Sequence, residues 1–150
     1  MGVMVREYRS TDASVLAKLF YETIHTVNAR DYTSAQLDAW APHPPAPVPF
    51  DRALCAGRTV VAVEGDQPVG FASMDEGGYL DYLYVSKDCQ GRGIATALCD
   101  ALEAACPAPS FSTKASITAR LFFERRGYRV VEHERVERNG VLLDRFAMEK

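Results

Sequence analysis

Tyr79-Leu80-Asp81-Tyr82-Leu83-Tyr84-Val85 is followed, after a short polar link, by Gln90-Gly91-Arg92-Gly93 and then by Ile94-Ala95-Thr96-Ala97-Leu98. The first run has the length and aromatic, apolar composition of a buried strand. After the glycines, Ile94, Leu98, Ala101, Leu102 and Ala105 recur on one face of a helix. A strand that passes through Gly-x-Gly into a helix is a device for holding an anion. The glycines let successive N–H groups point one way, and the helix N-terminus adds unpaired donors and partial positive charge. Lys87 and Arg92 add full charges nearby, so a diphosphate is the natural guest.

Taken alone, Gly-x-Gly is also compatible with an ordinary tight turn before a helix. A dinucleotide site binding NAD is a weaker alternative. Thr96 stands where the third glycine of that fingerprint belongs, and no acidic residue follows at the required distance, in Pro107–Phe111.

Outward from this stretch, Val60, Val61 and Val63 mark a strand within 59–64, and Val69–Met74 marks the next. The turns Gly65-Asp66-Gln67-Pro68 and Asp75-Glu76-Gly77-Gly78 join them to Tyr79–Val85 as an antiparallel meander. The centres of these runs are apolar on both faces, which predicts helices on both sides of the sheet. Upstream, Val3–Tyr8 alternates as a strand. Val15, Leu16, Leu19, Phe20, Thr23, Ile24 and Val27 trace a helical face, and Thr33 or Ser34 opens a shorter helix ending at Trp40. The five prolines of residues 41–49 predict a stiff surface loop, with a helical turn or two over 50–56. Downstream, 110–114 is a brief strand and Ser116 is expected to cap a helix reaching Arg126. Residues 128–136 and 141–148 form a hairpin about Asn139-Gly140.

At 150 residues the chain is expected to form one domain, residues 1–150. A net charge of −3 with both signs scattered leaves no basic stripe, so no nucleic acid partner is expected. No apolar run has the length of a membrane span and the N-terminus does not read as a signal peptide. Cys55, Cys89, Cys99 and Cys106 lack zinc spacing and a disulfide framework. The expectation is therefore a cytoplasmic protein with no metal and no membrane partner. A homodimer paired through the last hairpin is open.

Two motifs carry a family resemblance. Gln90-x-x-Gly93-x-Ala95 after Leu83-Tyr84-Val85 resembles the acetyl-CoA signature of the GCN5-related N-acetyltransferases. Ser116-Ile117-Thr118-Ala119-Arg120-Leu121-Phe122-Phe123, continued to Gly127-Tyr128, resembles the family's second signature, Asn-x-x-Ala-x-x-Phe-Tyr-x-x-x-Gly-Phe. Tyr32–Trp40, the Ala-Ser-Ile-Thr-Ala run and Phe-Phe-Glu-Arg resemble the small bacterial YafP-type branch. The resemblance implies an α/β acyl-CoA N-acyltransferase fold, a mixed and mostly antiparallel sheet of about 6–7 strands with helices on both faces. It also implies acetyl-CoA as cosubstrate, a primary amine as acceptor, and direct transfer in a ternary complex.

By the same resemblance, Gln90, Gly91, Arg92, Gly93, Ile94, Ala95 and Thr96 hold the pyrophosphate. Leu83, Tyr84 and Val85 pair with the pantetheine, and the Val85 N–H stabilises the oxyanion. Asp81 falls where family members often carry a general base, although an acid paired structurally with an arginine or backbone donors is equally consistent with the residues. Phe123 replaces the usual acidic Tyr, and Ser116 replaces the Asn. The proton donor then falls to another group (Tyr84, Tyr79, Tyr82 or Tyr128), or the thiolate leaves unaided. The missing Tyr is also what a non-catalytic acyl-CoA-binding domain would show. His25, Tyr32 and Trp40 are acceptor-side candidates, each with a packing alternative. Arg125 and Arg126 are candidates for the 3′-phosphate, with a solvated helix end as the alternative.

Overall fold

The computed structural model describes residues 2–150. Its elements run β1 (Val3–Glu7), α1 (Ala13–Thr26), α2 (Ser34–Trp40), α3 (Pro47–Cys55), β2 (Arg58–Glu64), β3 (Gln67–Met74) and β4 (Tyr79–Val85). They continue with α4 (Ile94–Ala105), β5 (Ser112–Ser116), α5 (Arg120–Arg125), β6 (Arg129–Arg138) and β7 (Val141–Glu149). The strands form one sheet in the order β1-β2-β3-β4-β5-β7-β6. Every neighbouring pair is antiparallel except β4 with β5.

The two-sided apolar character of β2 to β4 is matched by cover on both sides. Ile94, Leu98, Cys99 and Leu102 of α4 pack on Val60, Ala62, Val69, Ala72 and Met74. Leu16, Ala17 and Leu19 of α1, with Phe50 and Leu54 of α3, pack on Val61 and Phe71 from the other face. Burying a side chain such as Leu98 or Phe71 contributes on the order of 2 kcal/mol, so these two faces fix where β4 lies.

The register of β4 against β3 contains the feature that matters most. Ser73 pairs with Tyr82 but Met74 pairs with Leu80, so Asp81 is an extra residue with no opposite number. Strict alternation would put Leu80 with Tyr82 and Tyr84. Instead the bulge moves Leu80 onto the α4 face beside Leu83 and Val85, while Tyr82 and Tyr84 face α1.

Two other local expectations are corrected. The proline run is not all loop: α3 begins at Pro47, and Pro49 lies in its first turn, where a missing N–H breaks no helical bond. Ser116 does not open a long helix. It ends β5, and its Oγ accepts the Ala119 N–H at 3.1 Å to close a turn before the six-residue α5. The final hairpin turns as expected, with Asn139 and Gly140 both at positive φ (48° and 80°). Among the described residues no helix is long and apolar enough to cross a membrane.

The C-terminal half is tied to α4 through one carboxylate. Glu103 accepts hydrogen bonds from Arg126 Nε (2.9 Å), Tyr128 Oη (2.9 Å) and Lys150 Nζ (2.9 Å). Burial opposes its charge, but these three donors outweigh burial and hold it below the ordinary 4.5. Its contribution is therefore full above 4.5 and lost as pH falls through the depressed value. Glu103→Gln is expected to lower the unfolding free energy at neutral pH by about 2 kcal/mol. Urea titrations should show the gap closing as pH drops below 4.5. A gap that stays constant into acid would place the effect in packing rather than charge.

Candidate active site

β4 and β5 start side by side and then separate. Their register holds only Tyr79↔Ser112 and Leu80↔Thr113, although both strands continue. From Asp81 onward the inner edge of β4 has no partner strand. The Ser86 N–H bonds Val69 O on β3 at 2.8 Å. By the two-residue period, the N–H and C=O of Val85 and of Leu83 point the other way, into the gap. The Val85 carbonyl there accepts Gln90 Nε2 at 2.7 Å. Its N–H faces the gap free of that bond.

The gap opens into a cavity of about 370 Å³. Asp81, Leu83, Tyr84 and Val85 line it from β4. Gln90, Gly91, Gly93, Ile94, Ala95 and Thr96 line it from the loop and α4, Ser116 and Phe123 from the far wall, and Trp40 from α2. Gly91 and Gly93 adopt positive φ (72° and 78°), and a Cβ on either would meet nothing within 4 Å. The glycines are thus required by backbone conformation, and the space beside them is open. Gly93 caps α4 with no side chain on the first-turn N–H groups, which leaves those donors for an anion. Gln90 holds the loop against the end of β4 through Val85 O and Ser86 O (3.3 Å).

Asp81 is exposed toward the cavity and, among the described residues, makes no hydrogen bond or ion pair. The structural alternative of an arginine partner is therefore not what the fold adopts. Apolar neighbours desolvate its carboxylate and Asp75 adds like charge, so its pKa stands above the ordinary 3.8. Tyr84 stacks on Phe71 (5.7 Å) and meets Phe20 edge-on (4.8 Å). Burial raises its phenol strongly, so it keeps its proton at any working pH. Phe123 is buried against Phe122 and Tyr128, each ring 5.1 Å away.

Several predicted residues lie elsewhere. Arg92 does not line the cavity; both of its terminal nitrogens turn to Glu64 on β2, which offers it a full charge at hydrogen-bonding distance. His25 packs on Tyr21 and its Nε2 lies 2.7 Å from Ala41 O, joining α1 to the end of α2. Tyr32 donates to Asp144 O (2.8 Å) and accepts from Ile117 N–H (2.9 Å), so it positions loops rather than meeting a substrate. Tyr128 is committed to Glu103, and Arg126 to Glu103 and Asp100.

Sequence reading did not find Asn28, Arg30, Lys114 and Thr118, which also line the cavity. Asn28 Nδ2 reaches Ser116 Oγ at 3.5 Å, and Thr118 Oγ1 is buried without a partner among the described residues. Ser116 Oγ accepts from both Asn28 and the Ala119 N–H, so its own proton is unengaged.

A splayed parallel pair that closes on a glycine loop and a helix N-terminus defines an acyltransferase class. The chain belongs to the GNAT acetyltransferases: residues 28–150 match the family model described as the acetyltransferase (GNAT) domain. It is 32% identical over 147 residues to the uncharacterized N-acetyltransferase YafP of Escherichia coli K12, covering 98% of this chain and 95% of that protein. The crystal structure of a GCN5-related N-acetyltransferase (aminotransferase, class II) from Rhodopseudomonas palustris is 35% identical, with a TM-score of 0.94 over 100% of this chain and 96% of that one. The PaiA N-acetyltransferase of Thermoplasma acidophilum, solved with coenzyme A, shares the fold at 16% identity and a TM-score of 0.77, covering 100% and 99%. The protein is an acetyltransferase enzyme.

The Asp81 carboxyl should titrate with a midpoint above 3.8 in side-chain carbon NMR. Asp75→Asn, which keeps the Oδ1 that caps Gly77 and Tyr79 N–H groups, should move that midpoint part of the way back down. No movement would leave burial as the whole cause.

Proposed function

We propose that the enzyme moves an acetyl group from acetyl-CoA directly to a primary amine while both are bound. The single observation that carries this reading is the unpaired inner edge of β4, which runs from the free carboxylate of Asp81 to the open glycine loop. An extended pantetheine pairs there as a strand would, with the N–H and C=O of Leu83, which leaves the N–H of Val85 for the reacting carbonyl. The loop from Gln90 to Thr96 takes the pyrophosphate through backbone N–H groups, not through Arg92. Two open positions beside Gly91 and Gly93 support the fit.

The chemistry then follows from this chain's own groups. An ammonium must lose a proton before it can attack. Asp81, or a water it orients, accepts that proton, and its raised pKa makes it a better base than an ordinary aspartate. The amine nitrogen bonds to the thioester carbon, and negative charge grows on the carbonyl oxygen. The Val85 N–H is the donor placed to stabilise that charge. The carbon–sulfur bond breaks and the thiolate departs, while the nitrogen gives up its second proton to the thiolate or to solvent and becomes the neutral amide. Phe123 has no proton to give, so hydrogen bonding to the thiolate falls to the Ser116 and Thr118 hydroxyls and, across the cavity, to the Tyr84 phenol.

Calorimetric titration with acetyl-CoA, with NAD in a parallel cell, tests the cosubstrate: binding of the first and no response to the second is expected. Gly93→Val should weaken acetyl-CoA binding by at least about tenfold while the fold persists, because a branched residue cannot hold φ 78° and its side chain enters the phosphate space. Unchanged affinity in that variant removes the loop from the site. Asp81→Asn should lower kcat by about 10²–10⁴ with little change in acetyl-CoA affinity. It should also erase the acid limb on which the wild-type rate rises as Asp81 deprotonates. Equal loss of affinity and turnover would make Asp81 structural.

A further inference from the structure

The charges on the cavity wall point to the acceptor. Three ionisable groups of full charge line it: Asp81, Arg30 and Lys114. Two are cations and one is the carboxylate that serves as base, so the wall is net positive. Neither cation is neutralised by Asp81. Arg30 stands on a 3-10 turn after α1, and its one ionic neighbour is Asp31, Nε to Oδ2 at 3.6 Å, beyond hydrogen-bonding distance. Its guanidinium fork is free to take a planar anion. Lys114 Nζ gives one bond to Glu134 at 2.7 Å. Glu134 also accepts Arg145 at 2.8 Å, so one carboxylate serves two cations and positive charge remains on that rim.

The two ends are also separate in space. Lys114 follows Thr113, the last residue of β5 paired with β4, and its ammonium is turned toward Glu134 on β6, away from Asp81. No cation depresses Asp81, whose surroundings are burial and Asp75. A diamine, a polyamine or a lysine-rich peptide would place its second positive charge against Arg30 or Lys114. An amine with its own anion satisfies both ends. Trp40, Val27 and Tyr82 give the remaining wall an apolar, aromatic character suited to a hydrocarbon body.

We infer that the acceptor is an amino-carboxylate with an apolar body: its ammonium meets Asp81 and its carboxylate meets Arg30 and Lys114. This rests on the transferase reading above. The test compares bodies with and without the carboxylate, by thiol release from acetyl-CoA. Phenylalanine is paired with phenethylamine, and 6-aminohexanoate with hexylamine; 1,6-hexanediamine is the dicationic control. In at least one pair, kcat/KM should favour the carboxylated member by about tenfold or more, and the diamine should be the poorest acceptor. Arg30→Gln and Lys114→Gln, on an exposed turn and an exposed strand position respectively, should each reduce that preference, chiefly through KM.

Turnover of the amines with no carboxylate preference, or a best rate with the diamine, overturns the inference and leaves the transferase reading standing. A preference that survives both substitutions overturns the assignment to these cations. Binding of acetyl-CoA with no thiol release from any member of the panel also overturns the inference, and leaves the membership in the acetyltransferase family standing; absence of acetyl-CoA binding removes the transferase reading.

Discussion

The site exists because β4 and β5 stop pairing after two residues. A parallel pair in mid-sheet normally satisfies every backbone group along its length. Here α4 holds β4 from one face through Leu80, Leu83 and Val85. Meanwhile β5 is carried away by five registered pairs with β7. The strands cannot follow both partners and each other. What remains is a wedge of unpaired N–H and C=O groups, the kind of edge that an extended guest completes as a further strand. Both sides of the wedge belong to packed elements, which hold the two strands apart.

The bulge at Asp81 coincides with that divergence. It lies at the first residue beyond the last β4–β5 pair, and it reverses the phase of the strand there. Without it, Leu80 and Leu83 would lie on opposite faces and one would lose the α4 core. With it, the apolar residues on both sides of Asp81 stay buried and the carboxylate is turned into the cavity. The position of the base and the continuity of the core are thus one geometric fact.

Much of this was legible in the chain. The meander of β2 to β4, the glycine loop and the helix after it follow from periodicity and from residues that demand particular backbone angles. That the end of β4 pairs with pantetheine was reached by resemblance to a family, and the wedge that permits it was not read from the chain. Local pattern failed where a distant partner decided the outcome. Arg92 reads as a phosphate ligand until Glu64, 28 residues away on β2, claims it. Tyr32 reads as a pocket residue until Ile117 and Asp144 take its hydroxyl. Alternation in β4 failed because a bulge depends on the neighbouring strand's register, which no single-strand period contains. Asn28 and Arg30 gave no signal at all; they sit in an unpatterned turn whose importance comes from what it faces.

Tyr32 also ties together parts of the molecule that have no chain connection. Its oxygen is shared by the segment leading into α2, the turn after β5 and the backbone of β7. The lip that carries Arg30 and Trp40 is therefore hinged on the same atom as the wall that carries Ser116. Two bonds at that oxygen thus brace the lip and the opposite wall against each other without any covalent link between them.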